Sequence, residues 1–203
     1  MEVKAHWERI FTLKDSSQLS WYQPHLQTSL RLIDQAGIGS GAQVIDVGSG
    51  TSTLVDDLLT RGFLPTVLDI SSTALKKTQE RLGTLADTVH WIEADVTQVM
   101  LPPNAYDIWH DRAVFHFLTD AEDRRRYVER VRHALKPEGH IILATFSLDG
   151  PTQCSGLDVI RYDAGSLRNE FGTAFELVES VREAHQTPFG TQQAFIYCYC
   201  RKR

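Results

Sequence analysis

Val44 to Leu54 reads VIDVGSGTSTL, an apolar strand running straight into a glycine turn, with an acidic residue ending the next strand at Asp69. Val44, Ile45 and Val47 have the character of a strand buried on both faces. Gly48 and Gly50 lack the Cβ atoms that would keep a ligand off the backbone. The following helix is expected to open at Thr51 or Ser52. Asp69 lies about 20 residues beyond the second glycine, the spacing that carries a second-strand carboxylate to ribose hydroxyls. Together these features imply a cofactor of the adenosine type.

Two departures from the dinucleotide fingerprint bear on which cofactor it is. Thr53 stands where a G-x-G-x-x-G loop has its third glycine, and Asp46 puts a negative charge two residues before the loop. A carboxylate there repels a pyrophosphate held at a helix N-terminus and favours a ligand carrying an ammonium and a sulfonium, as S-adenosylmethionine does. At this point the chain resembles the class I S-adenosylmethionine-dependent methyltransferases, whose first motif reads acidic-x-Gly-x-Gly, here Asp46, Gly48 and Gly50. Ser52 replaces that family's usual third glycine. A tight strand-to-helix turn that holds no ligand is the competing reading of the loop alone.

The resemblance implies further cofactor contacts. Asp95 and Val96, in EADV, match the place where the family holds adenine, the carboxylate taking the exocyclic amine and the next backbone amide a ring nitrogen. Ile70, just after Asp69, matches the residue that covers a face of the ring. The competing reading of Asp95 is a loop-start residue capping the next turn. Asp46, Asp69 and Asp95 fall at the ends of successive strands, the edge where ligands bind in open α/β sheets.

Periodicity predicts a short helix over 6–12 and a longer one over 24–36, with Leu26, Leu30 and Ile33 on one face and Gly37 as its stop. Strands are expected at 66–70, 90–93, 106–110 and 140–146, with helices through Leu58, over 72–82 and before KPEG (136–139). That last helix takes Val128, Val131 and Leu135 as its buried stripe. The alternation means a parallel sheet with helices on both faces. The tail differs: ELVESVREAH (176–185) and QAFIYCYC (193–200), joined through Pro188 and Gly190, read as a long hairpin. Seven-stranded methyltransferase sheets end in such an antiparallel strand. The expected fold class is therefore α/β, a Rossmann-like seven-stranded sheet, mostly parallel with a C-terminal antiparallel hairpin. The resemblance covers roughly residues 40–203. One domain is expected over 1–203, with a helical lid segment at 1–37 and the core at 38–203.

Strand four delivers WHDRAVFHF, so His110, Asp111, Arg112 and His116 are expected where methyl acceptors sit. His185 ends the sixth strand if that strand runs parallel to the others. The imidazoles are candidate bases, and Arg112 or Arg161 candidate anchors for an anionic acceptor. Structural roles compete: strand-end histidines as hydrogen-bonding residues, Arg112 as the partner of Asp111 or Asp107, Cys154 as an unreactive thiol. YDIWHDRAVFHFL is similar to the corresponding segment of thiopurine and thiol methyltransferases. HWERIF and SWYQP are similar to the Trp-rich N-terminal lid of that group, which adds Trp21 to the cofactor set and Tyr22 to the lid. Small protein-lysine methyltransferases share a comparable W-E-R start.

Composition bounds the partners. The 203 residues carry 42% hydrophobic content and a formal net charge of −5, so nothing recommends a nucleic-acid backbone as partner. No apolar run reaches membrane-spanning length and the start lacks the apolar segment of a signal peptide, so no membrane association and a cytoplasmic location are expected. Cys154, Cys198 and Cys200 are an odd number and too few for a disulfide framework. Cys198 and Cys200 face one side of their strand, with Phe195, Tyr197 and Tyr199 on the other, and no metal is expected there. The resulting expectation is methyl transfer from S-adenosylmethionine to a small nucleophile, a thiol as best guess. The alternatives are protein-lysine methylation and a non-catalytic module that binds adenosyl ligands.

Overall fold

The computed structural model describes residues 3–203; the first two residues of the expected lid segment lie outside them. Seven strands form one sheet: β1 (Gln43–Val47), β2 (Leu64–Asp69), β3 (His90–Glu93), β4 (Tyr106–Arg112), β5 (Leu135–Phe146), β6 (Phe175–Gln186) and β7 (Gln192–Lys202). Their spatial order is β3-β2-β1-β4-β5-β7-β6. All neighbours from β3 to β5 pair in parallel, while β7 pairs antiparallel with both β5 and β6. β6 therefore runs in the same direction as β5, and its last residues, including His185, finish at the same edge as Asp46, Asp69 and Arg112. The order reverses between β1 and β4, where an open α/β sheet has its ligand crevice.

Among the described residues six helices of at least seven residues surround the sheet: α1 (Val3–Leu13), α2 (Gln27–Gln35), α3 (Leu54–Thr60), α4 (Ser72–Leu82), α5 (Ala121–Ala134) and α6 (Ala164–Phe171). α4 starts where Ser71 Oγ accepts the amide of Ala74, and α5 where Asp120 accepts those of Glu122 and Asp123, each satisfying donors that a first turn leaves without partners. On α5 the buried face is Tyr127, Val131 and Ala134, with Val128 half-buried. The expected stripe is thus rotated by one residue, because Tyr127 supplies the larger buried surface. β5 begins at Leu135 rather than His140: Leu135 pairs with Tyr106, and KPEG bends within the strand, Glu138 at φ 62°, instead of ending a loop. α6 is absent from the sequence expectation. It is eight residues long and rests on a capping box between Asp163 and Ser166.

The sheet separates two buried clusters. One face gathers Trp109, Phe115, Tyr127 and Phe171 with Cys198 and Cys200. The other gathers Leu30, Ile33, Leu58 and Phe146 with Tyr197 and Tyr199. The two-residue alternation along β7 sends thiols and phenols to opposite sides, as expected. Burial pushes both Cys198 and Cys200 thiols up to about 12, which leaves them as neutral packing groups.

Candidate active site

The turn after β1 is built around backbone amides. Gly48 and Gly50 take φ of 61° and 54°, in the left-handed region that penalises a side chain. A Cβ on Gly48 would overlap Val114 Cγ2, and one on Gly50 would come within 2.8 Å of Phe11 Cζ. Gly50 N donates to Asp69 Oδ2 at 2.7 Å and Ser71 N to Asp69 Oδ1 at 2.8 Å. One carboxylate thus braces the glycine turn and the start of α4. Burial raises Asp69 to about 6, against the two amides that favour its charge. α3 begins at Leu54, two to three residues later than expected, because residues 51–53 continue the turn.

Asp46, at the end of β1, is 2% exposed. His110 Nδ1 lies 2.7 Å from its Oδ1, and His110 Nε2 lies 2.9 Å from Ser29 Oγ on α2. Asp46 Oδ2 is buried without a hydrogen-bond partner. An ionised oxygen left so inside a protein is costly, and a cation arriving there removes the cost.

These residues border one cavity of about 240 Å³ at the carboxyl edge of the sheet. Every residue of the expected cofactor set lines it: Asp46, Gly48 and Gly50 on one wall, Asp69 and Ile70 on the next, Asp95 and Val96 beyond, and Trp21 from the N-terminal segment. The Asp95 carboxylate also caps the following turn, accepting Thr97 N at 2.8 Å and Gln98 Nε2 at 2.9 Å. Trp7, Phe11 and Trp21 roof the cavity, with Trp7 packed edge-on against Trp21 at 6.0 Å and Phe117 at 5.1 Å. Glu8 fastens this roof by accepting the amides of Ser72 and Thr73 at the start of α4. Although burial alone raises Glu8, those hydrogen bonds hold it at about 2. A negative oxygen without a partner, a side-chain-free turn and an apolar roof fit S-adenosylmethionine, which joins an ammonium to an adenosyl group.

The expected catalytic set divides. His110 and Arg112 line the cavity; Asp111, His116 and His185 do not. Asp111 faces the opposite side of β4, where it accepts the amides of Val114 and Phe115 and the hydroxyl of Tyr127 at 2.6 Å. His116 is buried, with Nδ1 accepting Phe146 N, and burial together with the Arg112 charge lowers its ring to about 3. His185 Nε2 donates to Ser20 O at 2.7 Å while Nδ1 meets Gln23 Nε2 at 2.9 Å, and burial again lowers its ring. Although β6 ends at the right edge, both ring nitrogens of His185 are taken up there by Ser20 and Gln23.

Arg112 pairs with neither Asp111 nor Asp107. Its Nε donates to Tyr197 OH at 3.0 Å, one terminal nitrogen donates to Trp21 O at 2.9 Å, and the guanidinium lies 4.6 Å from the Phe195 ring centre. The other terminal nitrogen is buried without a hydrogen bond, 3.8 Å from Glu183. Cys154 also reaches the cavity wall, its thiol pushed up to about 11 by burial. Arg161 turns away to the carbonyls of Leu148 and Gly150. Among the described residues no His, Cys, Asp or Glu cluster could hold a metal ion, and no helix is long and apolar enough to cross a membrane. The sequence carries no signal for Ser29, none for Glu8 beyond the W-E-R run, and none for Tyr197 beyond its place on the aromatic face of its strand.

Residues 44–139 match a family described as methyltransferase domain. The eEF1A lysine and N-terminal methyltransferase of Mus musculus is 27% identical over 129 residues, covering 62% of this chain and 18% of its own length. The ubiquinone/menaquinone biosynthesis C-methyltransferase UbiE of Ectopseudomonas mendocina is 29% identical over 166 residues, covering 74% and 62%. The chain therefore spans less than two thirds of either relative. Among solved structures, one described by the conversion of a disulfide bond into a thioacetal group during echinomycin biosynthesis superposes with a TM-score of 0.80 at 15% identity, over 99% of this chain and 92% of that one. The 1,6-didemethyltoxoflavin-N1-methyltransferase of Burkholderia thailandensis, with its substrate and S-adenosylhomocysteine bound, gives 0.72 at 18% identity, over 95% and 80%. At these identities the structures establish the fold, a Rossmann-like methyltransferase sheet.

Proposed function

We propose that this chain, whose residues 44–139 match a family described as methyltransferase domain, is a class I S-adenosylmethionine-dependent methyltransferase that transfers the cofactor's methyl group to a small, self-ionising nucleophile, with a thiol as the acceptor. When bound, S-adenosylmethionine supplies an electrophilic methyl that an in-line nucleophile accepts. Asp46 Oδ2 receives the ammonium, Asp69 accepts the ribose hydroxyls, Asp95 and the Val96 amide hold the adenine, and Ile70 covers its face. Trp21 and the rest of the aromatic roof exclude water and align the two reactants, which is most of what a displacement of this kind needs. In this reading residues 1–37 are the lid and 38–203 the core of one domain, working in the cytoplasm without nucleic acid or membrane.

One observation carries the choice of acceptor: among the described residues, the cavity presents no imidazole with a free lone pair. His110 has both nitrogens engaged, and His116 and His185 stand outside. An acceptor that ionises by itself needs no base, and a thiol does so far more readily near neutrality than an alcohol or a lysine. Arg112, whose second terminal nitrogen makes no hydrogen bond and only a 3.8 Å ion pair with Glu183, attracts the anion. The structural neighbour described by chemistry at sulfur agrees with this choice. Protein-lysine methylation is the second reading, favoured by the lysine methyltransferases among the relatives. Calorimetry with S-adenosylhomocysteine, followed by a methyl-transfer panel of thiol, oxyanion, amine and lysine-peptide acceptors, separates these readings. Transfer to thiols supports the proposal, transfer to the peptide supports the second reading, and binding without any transfer marks a non-catalytic module.

A further inference from the structure

We infer that Ser29 and His110 are positioning residues for the cofactor's cationic end, acting through a hydrogen-bond chain that fixes Asp46 and leaves its Oδ2 as the one carboxylate oxygen without a protein partner. The inference rests on the reading of S-adenosylmethionine as cofactor. Asp46, His110 and Ser29 are 2%, 1% and 0% exposed, so each depends on the next for its hydrogen bonds. An ionised carboxylate only accepts, so His110 Nδ1 donates to Asp46 Oδ1 across 2.7 Å. With one proton on a neutral ring, Nε2 is left as an acceptor, and Ser29 Oγ donates to it across 2.9 Å. Ser29 also interacts with the Tyr197 hydroxyl, which itself accepts from Arg112 Nε. Arginine only donates. The chain thus runs from Ser29 through His110 to the carboxylate beneath the glycine turn. This arrangement removes His110 from the candidate bases and gives it another task. It holds one Asp46 oxygen and leaves the other without a protein partner, and Ser29 holds the ring that does so.

The test uses two ligands that differ at the cationic end. S-adenosylhomocysteine carries the ammonium; 5′-methylthioadenosine keeps the adenosine and thioether but lacks the amino-acid group. Ser29→Ala should weaken S-adenosylhomocysteine roughly five- to tenfold, the loss of about one net hydrogen bond. It should leave 5′-methylthioadenosine within about twofold of the wild type, and Ser29→Thr should restore the first affinity. Nitrogen-15 NMR of the full chain should show His110 with a protonated Nδ1 and an acceptor Nε2. Equal losses for both ligands would make Ser29 merely structural and overturn the inference, as would unchanged affinity for S-adenosylhomocysteine. Should Ser29→Ala not fold, the ring still decides: an imidazolium or an Nε2–H tautomer in the wild type contradicts the chain. A wild type that binds neither ligand refutes the cofactor reading instead, a different outcome from any of these.

Discussion

Replacing Asp69 by Asn separates what this residue does for the fold from what it does for the ligand. In the folded chain its two oxygens accept Gly50 N at 2.7 Å and Ser71 N at 2.8 Å, and burial raises it from 3.8 to about 6. That shift means the ionised side chain costs the ligand-free fold about 3 kcal/mol relative to the unfolded chain. Because the folded value lies above the unfolded one, this group favours folding most below about pH 4. Its contribution declines as pH rises to about 6 and stays at its lowest above that. Asparagine removes the charge but turns an amide donor towards one of the two backbone N–H groups, which costs about 1–3 kcal/mol. The two effects nearly cancel, so the variant should unfold within about 2 kcal/mol of the wild type at neutral pH. Ligand affinity should not be spared. Ribose hydroxyls donating to a carboxylate form charge-assisted bonds of about 1.5–3 kcal/mol, so S-adenosylhomocysteine should bind roughly 10- to 150-fold more weakly. Ligand and proton also compete for Asp69. Wild-type affinity should fall towards tenfold per pH unit below about 6, and the Asn variant should lose that dependence. Calorimetry at several pH values measures both. An unchanged dissociation constant in a folded variant, or a wild-type affinity flat between about pH 5 and 7, would refute the reasoning.

Three further outcomes follow from the same geometry. Arg112→Leu should raise KM for anionic acceptors by about tenfold or more while S-adenosylhomocysteine affinity changes little, if the guanidinium attracts the acceptor as proposed; equal effects on anionic and neutral acceptors would contradict that role. His116→Phe should remove an acid-side instability. The buried ring is held at about 3, so the unfolded chain takes up its proton first as pH falls below about 6.5, and wild-type stability drops by up to about 1.4 kcal/mol per unit. The difference between variant and wild type in urea unfolding at pH 7 and 5 isolates this histidine from Asp69 and Asp111, and a constant difference would show that it carries no such linkage. Cys154→Ala should keep the methyl-transfer rate within about threefold, since a thiol raised to about 11 is neutral and takes no proton or methyl in the reaction; abolished transfer in a folded variant would give it a chemical role.

The residues legible in the sequence are those whose roles are local. Asp46, Gly48, Gly50 and Asp69 stand out because a strand, a turn without side chains and a second strand end constrain residue type within a short span, and all four line the cavity. The hairpin of β6 and β7 is legible because β6 alternates along its twelve residues and β7 carries a continuous buried apolar run within its eleven. What escapes notice is assembled across the chain. Ser29 meets His110 across 81 positions, and Arg112 meets Tyr197 across 85. Neither serine on a helix nor tyrosine in a strand announces a partner that only the sheet order brings near. Strand ends alone also overstate the site. Asp111 alternates to the far face of β4 and supports Tyr127, while His185 reaches the correct edge and is met there by Ser20 and Gln23 of the N-terminal segment. α6 is missed because its eight residues depend on a local capping box rather than a long apolar stripe.

The most direct test of the account is the identity of the methylated product when the full chain is incubated with S-adenosylmethionine and a mixed panel of small thiols, amines and a lysine peptide, read by mass spectrometry. The account predicts S-methylated thiol formed in equal amount with S-adenosylhomocysteine, at a rate that rises through the acceptor's own pKa. Methyl appearing on the amines or the peptide while every thiol stays unmodified would contradict it.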